Sequence, residues 1–232
     1  MITVRHSRER GVTELDWLKS RHTFSFGTYY DPGQMGFRSL RVINDDNVAP
    51  GGGFDTHPHQ DMEILTYVLD GALEHRDSLG TGSVIRPNDV QLMSAGSGIR
   101  HSEFNHSKNA PVHFLQVWIT PEKKGLTPSY AQSSFTGAEL QDQLCLIAAD
   151  QPTGKAVKVQ QNLRLYAARL SPGTTLNFEL QPKRAAWIQL ASGAVRCNGT
   201  LLETGDGAAL YSEAKLEMRS EKPSELLLFD LQ

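Results

Sequence analysis

Short apolar stretches of strand length recur along the chain: ILTYVL (64–69), VHFLQVWI (112–119), LRLYAARL (163–170), AAWIQL (185–190) and ELLLFDL (225–231). They are rich in β-branched and aromatic residues and are bounded by turn formers, the pattern of strands in a sandwich or barrel. Only DWLKSR (16–21) and SSFTGAELQDQ (133–143) carry a helix-like pattern, and both are short. The expected class is therefore all-β with few short helices.

A weak internal repeat emerges when TYVLDGALEHRDSLGTGSVIRPNDVQLMSA (66–95) is set beside IQLASGAVRCNGTLLETGDGAALYSEA (188–214). In both, a strand ends in a small-residue turn, a second strand follows, and a corner bearing an Asp (Asp89, Asp206) leads into a third. Two copies of one β-unit are implied. The polar stretch 121–143 lacks a strand pattern and reads as the connection between them. This predicts an N-terminal barrel over 1–125 and a C-terminal barrel over 126–232.

Composition narrows the partners. A formal net charge of −3 over 232 residues, without a block of like charge, gives no footprint for a phosphate backbone, so nucleic acid is not an expected direct ligand. Two cysteines far apart, Cys145 and Cys197, suit a reducing compartment. No apolar run has the length of a signal peptide or a membrane span. A cytoplasmic monomer that contacts no membrane is the expectation.

The residues with chemistry to offer lie in the N-terminal half. In GGGFDTHPHQDMEILTYVLDG (51–71), His57 and His59 stand two apart beside a glycine run, and in an extended chain such residues point the same way. A second such pair, His101 and Glu103, occurs in AGSGIRHSEFNH (95–106). Two pairs on neighbouring strands make a four-donor set of three imidazoles and a carboxylate. That set suits Fe(II), Ni, Mn, Cu or Zn and leaves coordination positions free for small molecules. Glu63 shares parity with the HPH pair, but an unbroken strand would carry it on the order of 13 Å beyond His59. Spacing therefore prefers Glu103.

The other histidines read more plainly. His75, among Glu74, Arg76 and Asp77, reads as part of a solvated turn; His6 lies in a charged stretch, and His106 has the wrong parity relative to His101. His22 and His113 are candidate pocket residues, with packing the preferred reading. Gln116 and Trp118 alternate on one strand and are candidates to line a cavity.

At these positions the sequence resembles the cupin superfamily. Gly51, His57, His59, Glu63 and Gly71 answer its first motif with one gap a residue longer. In the second, Pro87-Asn88-Asp89 replaces a Pro-x-Gly corner, and His101 with Asn105 follows a longer spacer. Those departures, with SRHTFSFGTYYDP, LRVINDDNVAPGGGFDTHPHQDMEILTYVLDG and MSAGSGIRHSEFN, are similar to the pirin family, over nearly the whole chain. The resemblance implies a bicupin of two stacked antiparallel jelly-roll barrels, with metal ligands His57, His59, His101 and Glu103 in the first and Glu63 outside the set. The second barrel usually lacks the ligands, and here no histidine follows His113.

The resemblance further implies one divalent transition metal ion per chain, Fe(II) first, with Ni, Mn, Cu, Co or Zn as alternatives. The activity it implies is a quercetin 2,3-dioxygenase that opens the central ring of a flavonol with O2 and releases carbon monoxide, Glu103 accepting the hydroxyl proton. A different class of function, an iron-binding regulator acting through a protein partner, is the alternative. A purely structural metal is a third.

Overall fold

The computed structural model describes residues 1–232. A short strand, β1 (Ile2–Arg5), opens the chain. Between residues 11 and 134 follow β2 (Gly11–Glu14), β3 (Leu18–His22), β4 (Leu40–Val48), β5 (Gly53–His59), β6 (Glu63–Asp70), β7 (Leu73–Asp77), β8 (Gly82–Ile85), β9 (Asp89–Ser94), β10 (Ile99–Asn105), β11 (Val112–Ile119) and β12 (Ser129–Ser134). The rest of the chain adds β13 (Cys145–Ala149), β14 (Val157–Lys158), β15 (Leu163–Leu170), β16 (Thr175–Glu179), β17 (Ala185–Ser192), β18 (Ala194–Cys197), β19 (Thr200–Glu203), β20 (Gly207–Tyr211), β21 (Lys215–Ser220) and β22 (Ser224–Leu231). Helical structure is limited to a 3-10 turn at Ser7–Glu9 and one turn of helix, α1 (Gly137–Leu140), closed by a capping box between Thr136 and Glu139.

Two compact units result: Gly11–Ser134 with Val157–Gln161, and Met1–Arg10 with Phe135–Ala156 and Asn162–Gln232. This division differs from a single boundary at 125/126, for a hydrogen-bonding reason at each end. β1 pairs with β20 from Ile2↔Leu210 to Arg5↔Gly207, so the first residues complete the C-terminal unit. β12 pairs with β9 from Ser129↔Ser94 to Ser134↔Asp89, so the N-terminal unit runs on to residue 134.

Within the N-terminal unit, one sheet has the order β12-β9-β6-β11-β4-β3-β2 and the other β5-β10-β7-β8, all pairings being antiparallel. β6 is central, between β9 and β11, and its run ILTYV is buried on both faces. Val68, Leu73, Ile85, Val112 and Phe114 pack as one cluster. A smaller one of Ile64, Met93, Ala95 and Ile99 has Trp118 against it. Complete burial of each large side chain contributes roughly 1.5–3 kcal/mol.

The C-terminal unit repeats the plan, with β20-β17-β22-β15 in one sheet and β16-β21-β18-β19 in the other. The sequence repeat corresponds to β6–β9 and β17–β20. Its two corner aspartates do the same work: Asp89 accepts from the Arg86 amide at 2.9 Å and Asp206 from the Glu203 amide at 3.0 Å, three residues back in each case. In this unit the positions corresponding to β10 are apolar, with Leu216 and Met218 buried in a cluster with Val195 and Cys197.

Two expectations for secondary structure are corrected. Residues 16–21 are not helical; β3 alternates, with Leu18, Ser20 and His22 inward and Lys19 and Arg21 outward, and pairs Leu18↔Val48 through His22↔Asn44. The stretch 121–143 is not strandless, because SYAQSS forms β12 at the edge of its sheet. An edge strand carries no continuous apolar face, which is why its composition reads as a loop.

Candidate metal centre

The glycine run before β5 sets how the site is built. A Cβ on Gly53 would lie 2.4 Å from the Glu103 carbonyl oxygen and 2.6 Å from Phe104 Cα, so only glycine lets β5 close on β10 there. β5 is the edge strand of its sheet, which tolerates Pro58 between the two histidines. His57 lies across from His101, and an irregularity in the ladder then sets Glu103 opposite Phe54.

Three imidazoles converge. The ring centroids of His57, His59 and His101 lie 4.5 to 4.8 Å apart, and His57 Nε2 is 3.0 Å from His101 Nε2. His57 Nδ1 is 2.7 Å from the Asp55 carbonyl oxygen, which can only accept, so Nδ1 carries the proton and the Nε2 lone pair faces inward. His59 Nε2 is buried with no hydrogen-bond partner. A buried, unpartnered imidazole nitrogen beside two others is the arrangement a metal ion satisfies, so these residues fit such an ion. Burial, aided by the neighbouring imidazoles, pushes His59 down to about 4 and His101 down to about 2. Both rings are therefore neutral at physiological pH, the form that ligates.

Glu103 takes a different place from the three histidines. Donor atoms within 4.8 Å of one another fall into two groups, His57, His59 and His101 in one and His75, His101 and Glu103 in the other, so His101 is common to both. The Glu103 carboxylate accepts from Gln116 Nε2 at 2.7 Å and, at 3.5 Å, from Thr66 Oγ1. Trp118 Nε1 donates to Gln116 Oε1 at 3.1 Å and so fixes the amide that points at Glu103. Burial pushes the Glu103 carboxyl up to about 7 against the lowering effect of these two bonds. Glu63 is engaged elsewhere, accepting from Ser94 Oγ at 2.9 Å and from the Gln160 amide at 3.1 Å.

His75 is not in a solvated turn. It is fully buried on β7, directly across from Glu103, with its Nε2 3.1 Å from Asp77 Oδ2 and its Nδ1 3.4 Å from His101 Nδ1. Burial lowers its pKa, with Asp77 opposing. The signal was the period-two pattern in LEHRD, where Leu73, His75 and Asp77 share one face; the density of charge in the segment masks it.

The imidazole cluster opens on a cavity of about 350 Å³, lined among others by Phe26, Phe54, His57, His59, Glu103 and Trp118. His59 stacks edge-on against Trp118 at 4.9 Å, and Phe26 meets the same indole at 5.4 Å. Such a size, with aromatic walls and a few polar groups, suits a small planar molecule. His22 also lines this cavity, held by Thr13 Oγ1 and Asn44 Oδ1 at 2.8 Å each. On the same wall Asp46 is nearly fully buried and its Oδ1 has no hydrogen-bond partner. Burial pushes Asp46 up to about 7 despite a hydrogen bond from Ser20. His113 is instead paired with Asp45 at 2.6 Å and His106 with Glu74 at 3.1 Å.

Residues 3–119 match the Pirin family, and residues 146–231 match the Quercetinase C-terminal cupin domain. The chain belongs to the pirin family. Its two units are the cupin barrels of a bicupin. This pirin is 45% identical over 231 residues to the quercetin 2,3-dioxygenase of Escherichia coli (strain K12), a match covering 100% of this chain and 99% of that one. It is 39% identical over 221 residues to a pirin-like protein of Caulobacter vibrioides, 95% of each chain being covered. Among solved structures it is similar to the bacterial pirin YhhW from Escherichia coli in complex with nickel(II), with a TM-score of 0.95 at 44% identity over 100% of this pirin and 99% of that chain. A second structure of YhhW gives a TM-score of 0.96 at 44% identity, covering 100% and 98%. No helix of this pirin is long and apolar enough to cross a membrane.

Proposed function

We propose that this chain is a metal-dependent dioxygenase that opens the central ring of flavonols such as quercetin with O2 and releases carbon monoxide. The observation that carries the proposal is the convergence of three imidazoles, two of which, His57 and His59, line a 350 Å³ cavity with aromatic sides. The 45% identity to a protein named quercetin 2,3-dioxygenase supports the choice of reaction.

His57, His59 and His101 would hold one divalent ion, with Glu103, on the same strand as His101, as the fourth ligand. Fe(II) is the proposed metal, and nickel(II) is the alternative favoured by the similar protein's complex. When bound, the ion supplies Lewis acidity toward a substrate oxygen and an electronic route to O2. The chain's own residues do the rest. Glu103 accepts the proton of the flavonol 3-hydroxyl, and the bond from Gln116 Nε2 holds one oxygen of that carboxylate in place. Trp118 and Phe26 confine a flat ring and exclude water.

The test is to load the protein with Fe(II) or nickel(II) and follow flavonol absorbance and carbon monoxide on admitting O2. Rapid loss of quercetin with one carbon monoxide per turnover is expected, and His57→Ala should be inactive. If the loaded protein consumes flavonol no faster than His57→Ala, the proposal is overturned.

A further inference from the structure

Two buried side chains outside the three-imidazole cluster, Asp77 and His75, form a line that ends on it. Asp77 Oδ1 accepts from the amides of Leu79 at 2.9 Å and Thr81 at 3.0 Å, so the carboxylate is anchored by its own turn. Its other oxygen, Oδ2, lies 3.1 Å from His75 Nε2, and both side chains are fully buried. His75 Nδ1 is 3.4 Å from His101 Nδ1, and on the far side of that ring His101 Nε2 faces His57 Nε2 at 3.0 Å.

One proton arrangement satisfies the contacts from Asp77 to His101 Nδ1 and leaves the two facing Nε2 nitrogens of His101 and His57 for an ion to share. A carboxylate can only accept, so His75 Nε2 carries a proton and donates it to Asp77. The neutral His75 ring then has a lone pair at Nδ1, which accepts from His101 Nδ1–H. That leaves the His101 Nε2 lone pair aimed at His57 Nε2, the direction His57 reaches through its own bond to the Asp55 carbonyl. The reverse tautomer of His101 would set two lone pairs against each other at Nδ1 and place a proton on the Nε2 that the ion has to reach. The His75 ring has little freedom to turn away, because the Tyr130 ring lies tilted against it at 5.0 Å and the Tyr130 hydroxyl is tied to Ser83 at 2.5 Å and Gln132 at 2.8 Å.

We propose that Asp77 and His75 are positioning residues that fix His101 as the Nδ1–H tautomer and so present its Nε2 to the metal. Ligand histidines in general depend on a group that holds their second nitrogen, and losing such a group typically costs about 10–100-fold in metal affinity. The proposal rests on His101 being a ligand. It also gives His75 a role distinct from ligation, although His75 shares a donor group with His101 and Glu103.

The test combines metal titration with nitrogen NMR and needs no turnover. In zinc(II)-loaded protein, the imidazole 15N shifts should show His101 protonated at Nδ1 and metal-bound at Nε2, with His75 bound at neither nitrogen. Against a competing chelator, His75→Phe should bind zinc(II) and nickel(II) about 10–100-fold more weakly than wild type. His75→Asn, whose carbonyl can stand where Nδ1 stood, should recover part of the loss, and Asp77→Asn should lie between the two. Thermal melts of the metal-free variants identify any that fail to fold, and the wild-type NMR assignment decides the proposal in that event. A metal-shifted nitrogen on His75, a metal-bound Nδ1 on His101, or unchanged affinity in folded His75→Phe overturns it. A wild-type protein with no metal-shifted nitrogen on His57, His59 or His101 would instead sink the ligand assignment on which the proposed function stands.

Discussion

His57 and His101 meet Nε2 to Nε2 at 3.0 Å across the β5–β10 pairing, close enough that the two nitrogens must share a proton or an ion. Removing either ring should weaken metal binding by more than about 100-fold, beyond the range for loss of a supporting group. Metal analysis of His57→Ala and His101→Ala after dialysis against a weak chelator checks it; retention of a full equivalent in either would remove that histidine from the ligand set.

Glu103 and Glu63 are both buried carboxylates, yet they should behave oppositely. Glu103→Ala should lose metal, whereas Glu63→Gln should keep it. Its cost should appear in stability, on the order of 1–3 kcal/mol, because the bonds from Ser94 and the Gln160 amide weaken. Paired metal analysis and urea unfolding separate these outcomes, and the reverse pattern would exchange the two roles.

Gly53 controls the spacing of the strands that carry the ligands. Gly53→Ala should destabilise the protein by about 1–3 kcal/mol, because the added methyl meets backbone rather than a yielding side chain. It should also weaken metal binding by displacing His57 from His101. A Gly82→Ala control, where a Cβ meets nothing within 4 Å, should do neither. Equal effects from the two substitutions would show that strand spacing is not what Gly53 provides.

Asp46 links stability to pH. Its carboxyl is raised from 3.8 to about 7 by burial, so the folded state holds a proton that the unfolded chain releases. The sign follows: its contribution is intact below about 4, is lost as pH rises to about 7, and changes no further above that. Metal-free wild type should therefore lose stability relative to Asp46→Asn across this window, by at most about 4 kcal/mol. Urea melts at several pH values test it; a flat difference would show that Asp46 ionises freely in the fold.

Much of this architecture was legible in the sequence, for definite reasons. The HPH and His-x-Glu pairs could be read because period-two parity is a geometric property of any strand, and the repeat could be read because its corner aspartates cap the same amide in both copies. β3 was hidden because Trp17 and Leu18 beside Lys19 and Arg21 imitate a helical face over so few residues. β12 was hidden because an edge strand needs only backbone pairing. His75 was missed because local charge says nothing of which face turns inward; that depends on β10 lying alongside. The placement of Glu103 apart from His57 and His59 depends on a ladder irregularity that no spacing rule anticipates.

The duplicated barrel plan gives the protein an internal comparison. Where the C-terminal unit buries Leu216 and Met218, which need nothing beyond their neighbours, the N-terminal unit buries imidazoles that leave a nitrogen wanting. One unit is complete in its own contacts, and in the other the proposed ion would supply the partner that His59 Nε2 lacks. Its melting temperature should therefore rise with the free metal concentration around it, so that metal supply regulates the persistence of the fold as well as its chemistry.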